Sequence, residues 1–372
     1  MFFFRIPNTI VTKMILKEVA LPFFFSLGAM SLLFLIGKLF THLEPLLAAG
    51  ISFMEFLKLN LLMLPIFLYI LIPICTLLGV LIAFIRLSKE SEIIALFACG
   101  ISPGRIVAPV VLISMAAFIT GLVISGLVVP QAKRQTSNFM NAITEKALMR
   151  GLPEKQFFTP MKGLTFFVDK ATQGRRYQGI YIKDARGKAM TYSILAKRGS
   201  LSTDIKSGKM ALELIDGRLV RIDQNYNMAD TISFQRYILS LMASSRSDKK
   251  RRGEMTTLEL YHAAHTPGVS KRDRTKYLIE FHKRIGVPFG ALLLGLLAAP
   301  LGIFFGRGGI STGVCAGLSA FLAYYLSILF GTTLADEGTL TPALGVWLPN
   351  LIFSGLTIYS LVLLHRKGAV FR

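Results

Sequence analysis

What constrains this chain most is a set of long apolar stretches. Six of them, at roughly residues 15–40, 56–86, 104–129, 284–304, 310–333 and 342–364, reach the ~20 residues that a helix needs to cross a bilayer. Hydrophobic residues make up 53% of the chain and charged residues only 17%, against about a quarter charged in soluble domains. The expected fold class is therefore a polytopic α-helical membrane protein with six spanning helices. The second stretch is longer than a bilayer requires, which predicts tilt or an extension beyond the lipid. The first, from about Ala20 to Phe40, exceeds a leader's apolar region and lacks a small-residue cleavage site, so it is expected to stay as an anchor.

Lys and Arg in the short connections set the orientation. Arg5, Lys13 and Lys17 precede the first span, and Arg86, Lys89 and Arg105 flank the second connection. Arg307 lies in the fourth, and Arg366, Lys367 and Arg372 close the chain. The connection from Thr41 to Ser52 has no base, and the fifth carries Asp336 and Glu337 instead. Both termini are thus expected in the cytoplasm, and the polar segment 131–280 outside it. That segment holds about 28 Lys and Arg against about 14 Asp and Glu, but long domains translocate regardless of charge. A basic surplus suits nucleic acid, anionic headgroups or an anionic substrate; a membrane setting makes nucleic acid the least fitting. Cys75, Cys99 and Cys315 lie in or beside apolar stretches, so no disulfide framework staples the polar middle.

The middle changes period. Leu164–Phe167, Gly179–Ile182, Thr191–Ala196, Ala211–Ile215, Leu219–Ile222 and Ile232–Leu239 are short β-prone runs, with Asp216–Gly217 as a hairpin signal between two of them. An inserted all-β sandwich or jelly roll is expected. A short helix over Met255–His262, capped by Thr256 or Thr257, leads back to the membrane. The domain plan is residues 1–130 for three spans with a cytoplasmic helix at about 88–100, 131–280 for the periplasmic β-domain and its return segment, and 281–372 for three more spans.

The cytoplasmic stretch Arg86–Gly100 is the most informative motif. Acids at its start and Gly100 after its end fit a short helix that is too short to span. It suits docking on a soluble partner, with Glu90 and Glu92 for charge and Ile93, Leu96 and Phe97 for an apolar face; a plain interfacial helix is the alternative. Gly100-Ile-Ser102-Pro103-Gly104 matches the hydrolase elbow in letters only. Pro103 has no N–H for an oxyanion hole, and Ser102 as N-cap with Pro103 at the first helical position explains it better. His262 and His265 lack a third ligand, so no metal is expected. Gly313 and Gly317 permit close helix packing. No phosphate-binding loop occurs, so any nucleotide hydrolysis belongs to another polypeptide.

Three spans, an external β-domain and three more spans resemble the lipopolysaccharide export permease family, LptF/LptG. The motifs that carry the resemblance are Arg86–Ser102, Glu280-x-His282-x-Arg284 at the fourth span, and Trp347-x-Pro349-Asn350 in the sixth. It implies an LptF–LptG-type heterodimer in the inner membrane, leaning to the LptF side, on a cytoplasmic LptB-like ATPase dimer. It further implies an LptC-like bitopic protein, an LptA-like periplasmic bridge, lipopolysaccharide as substrate, and neither an enzyme activity nor a cofactor in this chain. The helix between spans two and three would be the coupling helix, with Glu92 as its acid. Lys38 would be the first-span base that meets the substrate's phosphates, although a second base three residues on is Thr41 here. Arg284 is a further substrate candidate, and Phe166, Phe167 and Ile182 are candidates for an apolar seam in the β-domain. A membrane-anchored scaffold displaying a β-domain is the rival reading. An intramembrane enzyme is disfavoured because the spans hold no nucleophile–base pair.

Overall fold

A computed structural model describes residues 9–48, 52–161, 163–172, 176–186, 190–204, 209–223, 229–240 and 250–370. The chain divides into two compact units. One comprises Met1–Gly37, Leu61–Arg134 and Lys250–Arg372; the other comprises Lys38–Asn60 and Gln135–Lys249.

The first unit is helical. Its elements derive from α1 (Thr9–Ala48), α2 (Phe53–Lys89), α3 (Glu92–Ala98), α4 (Pro103–Val123), α6 (Thr257–His265), α7 (Lys271–Phe305), α8 (Ile310–Asp336) and α9 (Pro342–Val370). Among the described residues, six helices are long and apolar enough to cross a membrane. α2 has 37 residues, about 55 Å at the helical rise, so it outruns the hydrocarbon as its length in sequence suggested. Leu77, Leu81, Phe84 and Ile85 of α2 pack with Leu294 and Leu297 of α7 in a dry core. Outward-facing Leu21, Phe24 and Phe25 on α1 remain 68–78% exposed, as suits side chains solvated by lipid tails.

Helices cannot gain from hydrophobicity against lipid, so close backbone approach must hold them together. A Cβ on Gly313 or Gly317 of α8 would sit 2.4 Å from Ile85 or Leu81 of α2. The Gly-x-x-x-Gly pair is therefore a packing face within this chain. Gly331 of α8 meets Gly345 of α9 still more tightly, a Cβ there standing 2.1 Å from the Gly345 carbonyl oxygen.

α6 begins with a capping box: Thr256 Oγ1 accepts from Glu259 N–H, and Glu259 accepts from Thr256 N–H. A hydrogen bond from Lys250 to Glu259, with backbone support from Thr256, holds that carboxyl below its ordinary value of 4.5. A depressed acid stabilises above its unfolded pKa and loses that effect as pH falls through the folded one; α6 should loosen only below pH 4.5. At neutral pH, Thr256→Ala should cost about 1 kcal/mol. Amide hydrogen exchange in the first turn of α6 should then quicken about fivefold, and unchanged exchange would disprove the cap.

The second unit carries one antiparallel sheet of six strands in chain order: β1 (Phe158–Met161), β2 (Leu164–Thr172), β3 (Arg176–Asp184), β4 (Met190–Asp204), β5 (Lys209–Asp223) and β6 (Ala229–Ser240). Among the described residues its topology is a meander, without the crossover of a jelly roll's Greek keys. The sheet instead bends along one rung. Regular pairing skips Asp169, Gly179, Lys197, Asp216 and Gln235, which lie side by side on β2 to β6. Gly179 (φ 62°) and Asp216 (φ 58°) take left-handed backbone there. Each strand steps three residues rather than two to keep its inward face: Tyr177 to Ile180, Ala196 to Gly199, Leu214 to Gly217, Phe234 to Tyr237. The expected hairpin at Asp216–Gly217 is thus a kink inside the continuous β5, because both halves of β5 keep the same neighbours, β4 and β6, in unbroken register. The bend lets one sheet enclose its own core. Leu164, Phe166, Leu212 and Leu214 are fully buried, with Leu148 and Leu152 from the end of α5 (Val129–Arg150) and the residues after it closing one side.

Candidate functional site

The Arg86–Gly100 motif folds as α3, reached by a sharp turn in which Ser91 takes φ 60°. Its end is fixed by a Schellman pattern: Gly100 (φ 78°) donates to Phe97 O, and Ile101 donates to Leu96 O. Ser102 then caps α4 with Pro103 at its first turn. Ile93 and Phe97 turn inward and join the helical core, at 2% and 5% exposure, while Leu96 packs half-buried against it. The outer face carries Ile94, Ala95 and Ala98. Glu90 is drawn back to Arg86, which also grips Glu18 of α1 at 2.6 Å. Glu92 is half-exposed and makes no hydrogen bond or ion pair among the described residues. α3 is thus anchored from below and presents one uncommitted carboxylate.

A second cluster forms around residues 280–286 of α7. The π-helical turn Ile124–Val128, which joins α4 to α5, sends Ser125 Oγ to donate to Arg284 O at 2.7 Å. Tyr69 of α2 donates to Lys283 O at 3.3 Å. Trp347 Nε1 of α9 donates to His282 Nδ1 at 3.4 Å. The Tyr324 hydroxyl of α8 lies 3.2 Å from Gly286 O and 3.0 Å from Asn350 Oδ1, two acceptors for its single proton. Gly286 and Gly290 leave room for this, since a Cβ on Gly290 would stand 2.2 Å from that hydroxyl. Two sequence-distant motifs, Glu280-x-His282-x-Arg284 and Trp347-x-Pro349-Asn350, are therefore one tied constellation.

Arg284 sits at its centre, 4% exposed. Its Nε is 3.9 Å from Glu280, which Lys133 also approaches at 3.9 Å. Nη1 has no partner among the described residues. A buried guanidinium with an open N–H is an anion receptor in waiting, because leaving that donor bare carries a desolvation cost that a phosphate oxygen would relieve. A polar recess of about 420 Å³ lies at the neighbouring turns of α7, lined by Arg252, Lys276 and Lys283 together with the acids Glu280, Asp336 and Glu337.

The remaining sequence candidates fall elsewhere. Lys38 and Thr41 belong to α1, but their side chains are outside the described residues. Phe166 and Ile182 are cross-strand partners with no exposure, hence part of the sheet's own core. Phe167 points the other way, its ring tilted against exposed Phe157 with centroids 5.1 Å apart. His262 and His265 join no metal-binding group among the described residues. Sequence reasoning passed over Tyr69, Ser125, Lys133 and Tyr324. A polar side chain inside an apolar span is the signal that marks Tyr69, Ser125 and Tyr324; Lys133 lies past the third apolar stretch and carries no such mark.

Comparison with known proteins decides the family. The family described as the lipopolysaccharide export system permease LptF/LptG matches residues 13–364. The chain belongs to the LptF/LptG family. It is 23% identical over 297 residues to the lipopolysaccharide export system permease protein LptF of Escherichia coli (strain K12), covering 78% of this chain and 77% of that one. The LptF protein of Shigella flexneri matches to the same extent. An uncharacterized protein of Rickettsia prowazekii (strain Madrid E) is 27% identical over 254 residues, 67% of this chain and 69% of the relative. As an LptF/LptG chain it is a transporter permease subunit with membrane-spanning helices. Both α3 and the Arg284 cluster lie inside the matched range.

Proposed function

We propose that this chain is an LptF-type permease subunit that lifts lipopolysaccharide from the outer leaflet of the inner membrane, driven by ATP hydrolysed in a partner. The observation that carries the reading is the family match across nearly the whole chain. Pulling acyl chains out of a bilayer costs about 0.8 kcal/mol per CH₂, so a multi-chain lipid requires an external energy source. This sequence has no phosphate-binding loop, and the free carboxylate of Glu92 on a firmly seated α3 suits docking on a cytoplasmic LptB-like ATPase dimer. Glu90, Ile93, Leu96 and Phe97 then act mainly by holding α3 in place. The exposed apolar length of α1 suits pairing with an LptG-like second subunit. Arg284 and Lys38 are the proposed contacts for the substrate's phosphates. The sheet carries the acyl chains outward to an LptC-like protein and an LptA-like bridge, its core opening to bring Phe166 and Ile182 into their path. Both termini lie in the cytoplasm in this reading.

The test is to tag the full chain, purify it in mild detergent, and identify co-purifying proteins by mass spectrometry with an ATPase assay. A stoichiometric ATPase and a second permease subunit are expected. A chain that emerges folded and alone would overturn the exporter and favour a membrane-anchored scaffold.

A further inference from the structure

An apolar slot opens where the start of α4 and the end of α9 meet Leu296 of α7, about three turns along α7 from the Arg284 cluster. Its walls are Pro103, Gly104, Val107, Ala108 and Val111 of α4, Leu296 of α7, and Ile358, Leu361, Val362 and Leu364 of α9, with His365 and Arg366 at its rim. Its volume is about 490 Å³, within the ~300–1,000 Å³ of ordinary small-ligand sites. From Pro103 to Val111, and again from Arg366 back to Ile358, the walls run nine residues, about 12 Å from first to last at the helical rise. That is most of one leaflet's half of a ~30 Å hydrocarbon layer.

Charge at the mouth has one sign. Arg366 and His365 are exposed, and Arg105 stands exposed one residue beyond Gly104. None of the three forms an ion pair among the described residues. The sequence places no Asp or Glu between Ile93 and Thr144, between Phe281 and Ala335, or after Glu337, so α4 and the facing parts of α7 and α9 bring no acid to the mouth. Apolar walls sized for an alkyl chain, under a rim that offers unpaired guanidinium groups and an imidazole at headgroup depth, match a lipid with an anionic headgroup. A protein helix would need a wider groove and acids of its own.

We propose that this slot binds one acyl chain of an anionic phospholipid, with Arg366, His365 and Arg105 on its phosphate. On the orientation argued above, the lipid comes from the cytoplasmic leaflet, beside the turn Gly100–Ser102 that connects α3 to α4. Occupancy would brace that junction. The inference rests on α4 and α9 crossing a membrane and not on export, so either reading can fail without the other.

The full chain is reconstituted in vesicles with Val362→Trp as a reporter on the slot wall and Leu351→Trp on the lipid-facing surface as reference, the native Trp347 being a shared background. Quenching is measured with bromine-labelled acyl chains on phosphatidylglycerol or on phosphatidylcholine. Labelled phosphatidylglycerol should quench the slot reporter more strongly, by about fivefold in apparent affinity per basic side chain. His365→Gln with Arg366→Gln should abolish the preference, and Ala108→Phe should return quenching to the reference level. Equal quenching by the two lipids would overturn anionic recognition. Quenching no stronger than at the reference position would show that no lipid chain occupies the slot.

Discussion

Replacing Glu92 with lysine should strip the ATPase from the purified permease while leaving the chain itself as stable as the wild type. Glu92 has no partner among the described residues, so its loss removes nothing from the chain's own fold. Across an interface, truncating one member of a desolvated charge pair costs about 2–5 kcal/mol, and charge reversal adds repulsion. Binding should therefore weaken at least about 30-fold, with Glu92→Gln falling between. Ile93→Ala should behave in the opposite way. That side chain is 2% exposed within the helical core, so its truncation should cost about 2–5 kcal/mol of stability. Melting curves and ATPase recovery, measured on both variants, separate the roles. Full retention of the ATPase by Glu92→Lys would rule out α3 as the docking element.

The largest structural effect should come from Gly331. Its Cβ would stand 2.1 Å from the carbonyl oxygen of Gly345, and a backbone atom cannot rotate away as a side chain can. Gly331→Ala must push α8 and α9 apart along their length, costing about 3 kcal/mol or more, and Gly331→Val should prevent the helices from assembling. Gly355 on the same α9 is the control. Nothing lies within 4 Å of a Cβ there, so Gly355→Ala should stabilise by about 0.5–1 kcal/mol through helix propensity. Thermal unfolding in detergent distinguishes the two. Similar melting temperatures for Gly331→Ala and Gly355→Ala would refute the crossing.

The membrane helices were legible because spanning a bilayer demands some twenty apolar residues in a row, a constraint each segment meets without its neighbours. The caps were legible for the same local reason: Gly100, Ser102 with Pro103, and Thr256 each act within one turn. The β-domain was only half legible. Strand-prone runs stood out, yet the bend through Asp169, Gly179, Lys197, Asp216 and Gln235 involves five strands, and no single strand's period reveals a rung shared by all. Asp216–Gly217 read as a hairpin because a kinked strand and a tight turn both favour residues that tolerate left-handed backbone.

Sequence alone thus determined which segments are apolar enough to enter lipid, where a short helix lies between the second and third of them, and which motifs resemble a known family. It could not say which way the apolar residues of α3 face, since an amphipathic helix looks alike whether its stripe meets a partner or its own core. Tertiary structure turned Ile93 and Phe97 inward, left Glu92 uncommitted, and brought His282 to Trp347 and Gly286 to Asn350 through Tyr324. Those contacts join helices 26 to 65 residues apart in the chain. Local patterns record the solvent a residue prefers; only packing decides which polar group, among several in apolar surroundings, satisfies which.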